Sequence, residues 1–188
     1  KLGNNIEDKL QSMLKSEKQY VIYSDTDSVY FQIELFMNKY QEQNPNLSID
    51  EYVDWADSFE KKVIRPIIQH TVETFCAELN AYNKEKIWAE REAIADVGIF
   101  SAKKKYIARV RDSEGTRYPE NDPYMKVMGM EIAKSSTPIW AKNKLKESLS
   151  VILDNEYDDL MNWVADIKSD FIKADYEDIF DYEKVVLP

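Results

Sequence analysis

At residues 20–31 the chain has the sequence Tyr20-Val21-Ile22-Tyr23-Ser24-Asp25-Thr26-Asp27-Ser28-Val29-Tyr30-Phe31. Two apolar runs rich in strand-forming residues flank positions 24–27, which favour a tight turn. The pattern predicts a buried β-hairpin that brings Asp25 and Asp27 to its tip. Two carboxylates this close repel each other unless a cation lies between them, and oxygen ligands suit a hard ion such as Mg²⁺. Alternatively, both aspartates are ordinary turn residues whose side chains bond nearby backbone amides.

The six residues from Tyr23 to Ser28 resemble motif C of the family-B DNA polymerases, which is usually Tyr-Gly-Asp-Thr-Asp-Ser. Ser24 departs from this pattern, and a positive φ at that position would strain it. The resemblance implies that Asp25 and Asp27 are catalytic, with Asp27 the principal metal ligand and Asp25 a weaker ligand or an outer support. It also implies a DNA-directed DNA polymerase that transfers nucleotides with two Mg²⁺ ions, using primer-template DNA and dNTP as substrates.

A second segment, Lys103-Lys104-Lys105-Tyr106, is followed by Arg109 and Arg111. A run of lysines is typical of a solvated strand end, whereas lysines beside an aromatic residue also suit a phosphate backbone. The segment resembles the Lys-Lys-x-Tyr element that follows motif C in family-B polymerases and touches the primer-template. The resemblance therefore implies that Lys103, Lys104, Lys105 and Tyr106 bind DNA.

A third segment runs from Lys126 to Ile132 and leads into Ser135-Ser136-Thr137-Pro138. By itself it is typical of a strand, a loop and a helix start. It resembles the Lys-x-x-Gly-x-Glu segment at the palm–thumb boundary of the same family, which adds Lys126 and Gly129 to the expected DNA-binding residues. Residues 91–94 and 114–118 look like the replicative polymerases of large tailed phages in particular.

The composition limits the class of protein. A chain of 188 residues, 44% of them hydrophobic, can bury a core as one domain or as two small ones, and four glycines favour helices. Cys76 is the single cysteine, which excludes an internal disulfide and suits a reducing cytosol. The lone His70 has no partner pattern for catalysis and is expected to be structural. No apolar run approaches the length of a membrane span, which predicts no membrane partner.

The charge is distributed unevenly along the chain. The net charge of −10 argues against an autonomous nucleic-acid binder. Residues 101–146, however, hold eleven Lys and Arg against five Asp and Glu, while residues 154–188 hold three against eleven. This asymmetry predicts one surface that meets an anion and another that is solvated or faces a partner.

Hydrophobic periodicity and capping signals predict an α+β fold. Helices are expected at 4–18, from a capping box at Ser48 and Glu51 up to a break at Pro66, and then at 67–79, 137–153 and 157–171. Strands are expected in the 20–33 hairpin and at 103–111, with 86–95 compatible with a strand or a helix, and 125–132 with a short strand. The hairpin, 86–95 and 103–111 are expected to form one antiparallel sheet against the helices of 48–80.

The resemblance implies a division into the C-terminal part of a palm, residues 1–134, and the start of a helical thumb, residues 135–188. Motif A, with another metal-binding aspartate, and motif B, which grips the nucleotide, are not found in this sequence. The expected partner is therefore the remainder of the polymerase, its motif A and B palm and fingers. The chain alone is expected to be inactive, and the enzyme is expected in the cytoplasm of an infected host cell.

Two other classes of protein remain open from the sequence. One is a haloacid-dehalogenase-like phosphatase, with Asp25 as nucleophile and Asp27 as acid. That fold needs repeated β-α units and a later acidic pair at a strand end, whereas Asp158-Asp159 lies in a helical pattern. The other is a non-catalytic replication interaction module that docks through its acidic tail.

Overall fold

The structure is a computed structural model that describes residues 2–25, 28–82, 88–154 and 157–179. Helices pack beside antiparallel strands, which confirms the expected α+β class. No helix within the described ranges is long and apolar enough to cross a membrane.

The chain forms two compact units. The first comprises residues 1–94 and 110–123, and the second comprises residues 95–109 and 124–188. These units do not test the expected palm–thumb division at residue 134, which stays a prediction.

Five of the seven described α-helices correspond to expected ones, and two are additions. The seven are α1 (Leu2–Leu14), α2 (Glu34–Gln43), α3 (Ile49–Phe59), α4 (Arg65–Glu78), α5 (Ile139–Asp154), α6 (Tyr157–Lys173) and α7 (Tyr176–Ile179). The additions are α2 and α7. A π-helical turn, Glu60–Ile64, joins α3 to α4, and a 3₁₀ turn spans Glu131–Ala133.

The strands fall into two sheets among the described residues. They are β1 (Val21–Asp25), β2 (Ser28–Phe31), β3 (Ala93–Ala102), β4 (Lys105–Ser113), β5 (Thr116–Arg117) and β6 (Tyr124–Met128). Strands β1 and β2 form one sheet by themselves, and the second has the order β3-β4-β5 with β6 also paired to β4.

The expectation of one sheet containing the hairpin was therefore wrong. The hydrophobic pattern of a strand shows which face is buried, but it carries little information about which distant strand supplies the backbone hydrogen bonds. The strand or helix expected at 86–95 overlaps the observed strand β3 only at its end. Residues 83–87 lie outside the described residues, 88–92 have no regular structure, and β3 begins only at Ala93.

The core of the first unit is built on helix α1. Ile6 and Leu10, spaced by one helical turn, are 1% and 0% exposed, and they pack with Tyr20, Phe59 and Ile64. Helix α1 also packs against α4. The residue that enters the hairpin is therefore buried in the same cluster as the helices around it.

Helix α3 begins where the sequence predicts. The Ser48 hydroxyl accepts from the Glu51 amide, and the Glu51 carboxylate accepts from the Ser48 amide, which completes the capping box. The hydrogen bonds from the Ser48 backbone and side chain also lower the pKa of Glu51. The α-helix is interrupted a few residues earlier than expected, because the π-helical turn spans Glu60–Ile64 and Pro66 already lies in the first turn of α4.

Helix α2 was not expected from the sequence. Its N-cap residue, Ile33, makes no side-chain capping bond, so no local signal marks its start. Leu35 and Phe36 pack against the core cluster, and the Tyr40 ring stacks on Trp55 with centroids 5.4 Å apart. Tertiary packing therefore stabilises this polar helix.

The second unit contains the start of β4 and the C-terminal helices. Tyr106, Ile107 and Ala108 are buried in β4, and Leu149 is buried in α5. Helix α5 starts directly after Pro138, as predicted, and the rings of Trp140 and Phe171 meet edge-on at 5.5 Å.

Arg109 and Arg111 make contacts within the chain. Arg109 pairs with Asp96 at 3.0 Å and also with Asp154, and the hydrogen bond that it donates to Asp96 raises the pKa of Arg109. Arg111 is 4% exposed and donates to the carbonyl of Glu120 at 3.2 Å. The structure therefore does not support the interpretation that these two arginines bind phosphates together with the lysines before them.

An ion-pair network in the first unit ties β4 and β5 to α3. Arg91 donates to Asp112 at 2.5 Å and to Asp57 at 3.1 Å, and Arg117 donates to Asp112 at 3.0 Å and to Asp54 at 2.6 Å. Asp112 is only 2% exposed, and its two carboxylate oxygens accept from the two guanidinium groups. The two phage-like segments, 91–94 and 114–118, therefore meet at one buried carboxylate.

The environment of Asp112 makes stability depend on pH. Burial disfavours its charge, but hydrogen bonds from Arg91, from the Gly115 amide and from Arg117 outweigh this effect and hold the pKa of Asp112 below its usual 3.8. A hydrogen bond from Lys61 likewise lowers the pKa of Asp57. A lowered pKa adds stability above the unfolded value, and that stability is lost as the pH falls through the folded value.

We expect Asp112→Asn to lower the free energy of unfolding by about 1.5–3 kcal/mol at neutral pH, because it removes the buried carboxylate that accepts hydrogen bonds from both Arg91 and Arg117. Asp50→Asn is the control, because Asp50 also faces Arg117, at 3.8 Å, but its side chain is 80% exposed. Its cost should be under about 1 kcal/mol. Urea unfolding between neutral pH and about pH 3 should show a weaker acid dependence for Asp112→Asn than for the wild type. Equal costs for the two variants would contradict the network's role.

Candidate active-site hairpin and basic turn

Strands β1 and β2 form the hairpin that the sequence predicts. Their antiparallel register places Tyr23 opposite Tyr30, Ser24 opposite Val29 and Asp25 opposite Ser28. Only residues 26 and 27 connect the strands, so Asp25 is the last residue of β1 and lies beside the turn. Ser24 was expected in the turn, but it belongs to the extended strand, so the strain considered for a positive φ does not arise.

The Asp25 carboxylate is oriented by a neighbour on its own strand. The Tyr23 hydroxyl donates to Asp25 Oδ2 at 3.3 Å, because residues two apart in a strand share one face. The Tyr23 ring in turn packs against Tyr30, with centroids 5.9 Å apart and planes tilted by 55°. The aromatic pair thus fixes the hydroxyl that contacts the carboxylate.

Asp27 lies outside the described residues, so its predicted role as principal metal ligand stays a prediction. Within the described ranges, no three His, Cys, Asp or Glu side chains come together in a way that could hold a metal ion. The donor that the hairpin does present, the Asp25 carboxylate, is an oxygen ligand of the kind that Mg²⁺ prefers. The described residues therefore fit one part of a hard-ion site.

Glu7, which lies on α1, was not predicted as a functional residue from the sequence. Its carboxylate accepts hydrogen bonds from the amides of Tyr20 and Val21, at the point where the chain enters β1. The only local hint was Gln11, one turn later on the same helix face, which donates to Glu7. Nothing in the sequence pairs a helix carboxylate with amides thirteen residues away.

The basic segment forms the turn between β3 and β4. Lys103 and Lys104 make a two-residue connection, and Lys104 has φ +59°, a left-handed conformation unusual for a residue with a side chain. Both lysines and Lys105 are exposed. Tyr106 is instead 6% exposed and stacks on Phe100 at 5.2 Å. The contact of these residues with DNA stays a prediction.

The third predicted segment meets the second one. Gly129 follows β6 with φ +66°, and a Cβ at this position would lie 2.0 Å from the Lys104 carbonyl oxygen. Glycine is therefore required at this position, since any side chain would collide with the backbone of the basic turn. Lys126 lies in the adjacent strand β6 and is half-buried.

Two phage DNA polymerases are similar to this chain in sequence. The DNA-directed DNA polymerase of Escherichia phage RB69 is 35% identical over 143 residues, which are 71% of this chain and 15% of that relative. The DNA-directed DNA polymerase of Enterobacteria phage T4 is 29% identical over 176 residues, which are 86% of this chain and 18% of that relative. No protein-family model matches the sequence.

These matches confirm the resemblance that the motifs indicated. The chain is related to the family-B DNA polymerases, and within that class it corresponds to a segment of a phage DNA-directed DNA polymerase. It spans less than a fifth of the length of the curated relatives it matches.

We expect Gly129→Ala to destabilise the chain more than Gly115→Ala, although both glycines have positive φ. Gly115→Ala adds only the left-handed penalty of about 1–2 kcal/mol, because nothing lies within 4 Å of its new Cβ. Gly129→Ala adds the collision with Lys104 and should cost about 2–5 kcal/mol in total. Equilibrium unfolding in urea measures both costs. Similar values for the two variants would show that the close approach to Lys104 does not constrain the turn.

Proposed function

We propose that this chain supplies the motif C hairpin and part of the primer-template contacts of a phage DNA-directed DNA polymerase. In the intact enzyme the reaction is template-directed nucleotidyl transfer from dNTP to a primer end. The observation that carries the proposal is the antiparallel pairing of Asp25 with Ser28 across a two-residue connection that contains Asp27. The similarity to phage polymerases over most of the chain supports it.

Asp27 is proposed as the principal metal ligand, and Asp25 as a weaker ligand or an outer support. Two Mg²⁺ ions, when bound, would stabilise the charge that develops on the attacking and leaving oxygens. The contribution of this chain is placement, because phosphoryl transfer depends mostly on position and charge. Tyr23 assists by holding the Asp25 carboxylate through its hydroxyl.

The basic turn is proposed to hold the primer-template duplex. Exposed Lys103, Lys104 and Lys105 provide cations for backbone phosphates. Gly129 acts indirectly, since its lack of a side chain lets β6 and the turn approach, and Lys126 is proposed to contact DNA from β6. Tyr106 is proposed as a DNA-binding residue from the family motif, and its observed stacking on Phe100 also supports the strand beneath the turn.

Residues 1–134 are proposed as palm and residues 135–188 as the start of the thumb. The proposed partners are primer-template DNA, dNTP and the remainder of the polymerase, its motif A and B palm and fingers. The site of action would be the cytoplasm of an infected host cell. Because this chain corresponds to less than a fifth of its relatives, we expect no activity from it alone.

The structure disfavours the phosphatase alternative. Strand β2 follows Asp25 after two residues and pairs back on β1, whereas that fold needs repeated β-α units. Asp158 and Asp159 lie in the first turn of α6 rather than at a strand end. The interaction module is tested by the same activity measurements as the polymerase proposal.

In the intact polymerase, Asp27→Asn should lower the single-turnover rate of nucleotide incorporation by at least about 10²–10³-fold, because it removes a charge where charge stabilisation matters most. Asp25→Asn should cost less, because Asp25 mainly supports the site. Single-turnover incorporation on a primed template measures both effects. The 188-residue chain alone, as a control, should extend no primer.

A larger loss for Asp25→Asn would reverse the two roles. Unchanged rates in both variants would refute the motif C assignment and leave the interaction module as the explanation. Extension by the isolated chain would show that this segment needs no other part of the enzyme.

Lys104→Ala should weaken duplex binding equally on different sequences and lower the slope of log affinity against log salt by about one. Lys9→Ala is the control, since Lys9 is an exposed lysine on α1. A salt titration of duplex binding by the intact enzyme compares the two. An unchanged slope for Lys104→Ala would mean that this lysine neutralises no phosphate.

A further inference from the structure

The carboxylate of Glu7 anchors the beginning of the hairpin. The Tyr20 amide lies 3.0 Å from both Glu7 oxygens, and the Val21 amide lies 2.6 Å from Oε2. The Gln11 side chain donates to Oε1 at 2.8 Å and so orients the carboxylate. Hydrogen bonds to an ionised carboxylate are among the stronger ones in proteins.

Two consecutive amides bound to one carboxylate require an irregular backbone. In a regular strand, consecutive amides point to opposite edges. Here both amides reach Glu7, and the pairing of β1 with β2 shifts register between Val21 and Tyr23. The Tyr20 carbonyl meanwhile accepts from the Gln32 amide at 2.8 Å. Glu7 therefore fixes the point from which the strand starts.

Glu7 itself lies on a firmly held element. It follows Ile6 and precedes Leu10, which are 1% and 0% exposed in the core cluster. Helix α1 cannot shift without disturbing that cluster, because close-packed interiors resist small displacements. The packed core therefore holds α1, and through Glu7 it holds the start of the strand.

We propose that Glu7 is a positioning residue that sets where the Asp25 carboxylate lies at the end of β1. The proposal rests on the polymerase function proposed above. A strand rises about 3.3 Å per residue, and a one-residue slip turns every side chain to the other face. An error at Val21 would therefore be carried along β1 to Asp25, only four residues away.

The test compares Glu7→Gln with Asp8→Asn in the intact polymerase. Both remove one negative charge from α1, but Asp8 is exposed. Gln11→Ala is a milder second variant, because it keeps the Glu7 carboxylate and removes the bond that orients it, together with a longer bond to the Lys18 carbonyl at 3.3 Å. Hydrogen exchange reports on the amides of Tyr20 and Val21, and single-turnover incorporation is measured across a Mg²⁺ titration.

Glu7→Gln should accelerate exchange at both amides. It should also lower the maximum rate by about 10- to 100-fold and raise the Mg²⁺ concentration for half-maximal rate, since misplacement of about 1 Å can have this cost. Gln11→Ala should show the same changes in smaller measure. The duplex affinity of all three variants should stay within about twofold of the wild-type value. The maximum rate and the Mg²⁺ dependence of Asp8→Asn should also stay within about twofold.

Faster exchange without a change in rate or Mg²⁺ dependence would mean that Glu7 only stabilises the chain, and the proposal would be overturned. Unchanged exchange would overturn it as well. The proposed function fails separately, if Asp25→Asn and Asp27→Asn also leave incorporation unchanged.

Discussion

The candidate site depends on one constraint, the burial of Tyr20 where the chain enters β1. A two-stranded sheet is only marginally stable by itself, so β1 and β2 need an apolar surface beneath them. Tyr20, 1% exposed, enters the cluster that Ile6 and Leu10 of α1 begin. Helices on both sides of the hairpin in the chain complete this cluster. Apolar packing at the start of β1 therefore determines where the Asp25 carboxylate lies at its end.

A second constraint is the close approach at Gly129. The sequence motif contains this glycine directly after β6, and the physical reason is that a Cβ at this position would collide with the Lys104 carbonyl oxygen. Two motifs separated by more than twenty residues are thus one local structure.

The charge of the chain is also organised by contacts that composition alone does not reveal. Arg91 and Arg117 converge on the buried Asp112, and Arg109 pairs with Asp96 and Asp154. These arginines offset part of the net negative charge inside the chain. The lysines of the β3–β4 turn are instead exposed, so the basic surface is narrower than the count for residues 101–146 indicated.

Local signals were enough to predict several features. These are the capping box at Ser48, an interruption near Pro66, the start of α5 after Pro138 and the β1–β2 hairpin, which all depend on residues close together in the chain. The resemblance to family-B polymerases was likewise recognisable from short motifs in the right order.

Only the tertiary structure decided the rest. The division into two sheets, helix α2, the Glu7 anchor and the meeting of Gly129 with Lys104 all join residues that are distant in sequence or lack a local signal. Backbone amides and carbonyls are nearly identical at every position, so a sequence pattern cannot identify their distant partners. The side-chain pattern specifies which face is buried, and the packed core then selects the strand, helix or carboxylate that covers it.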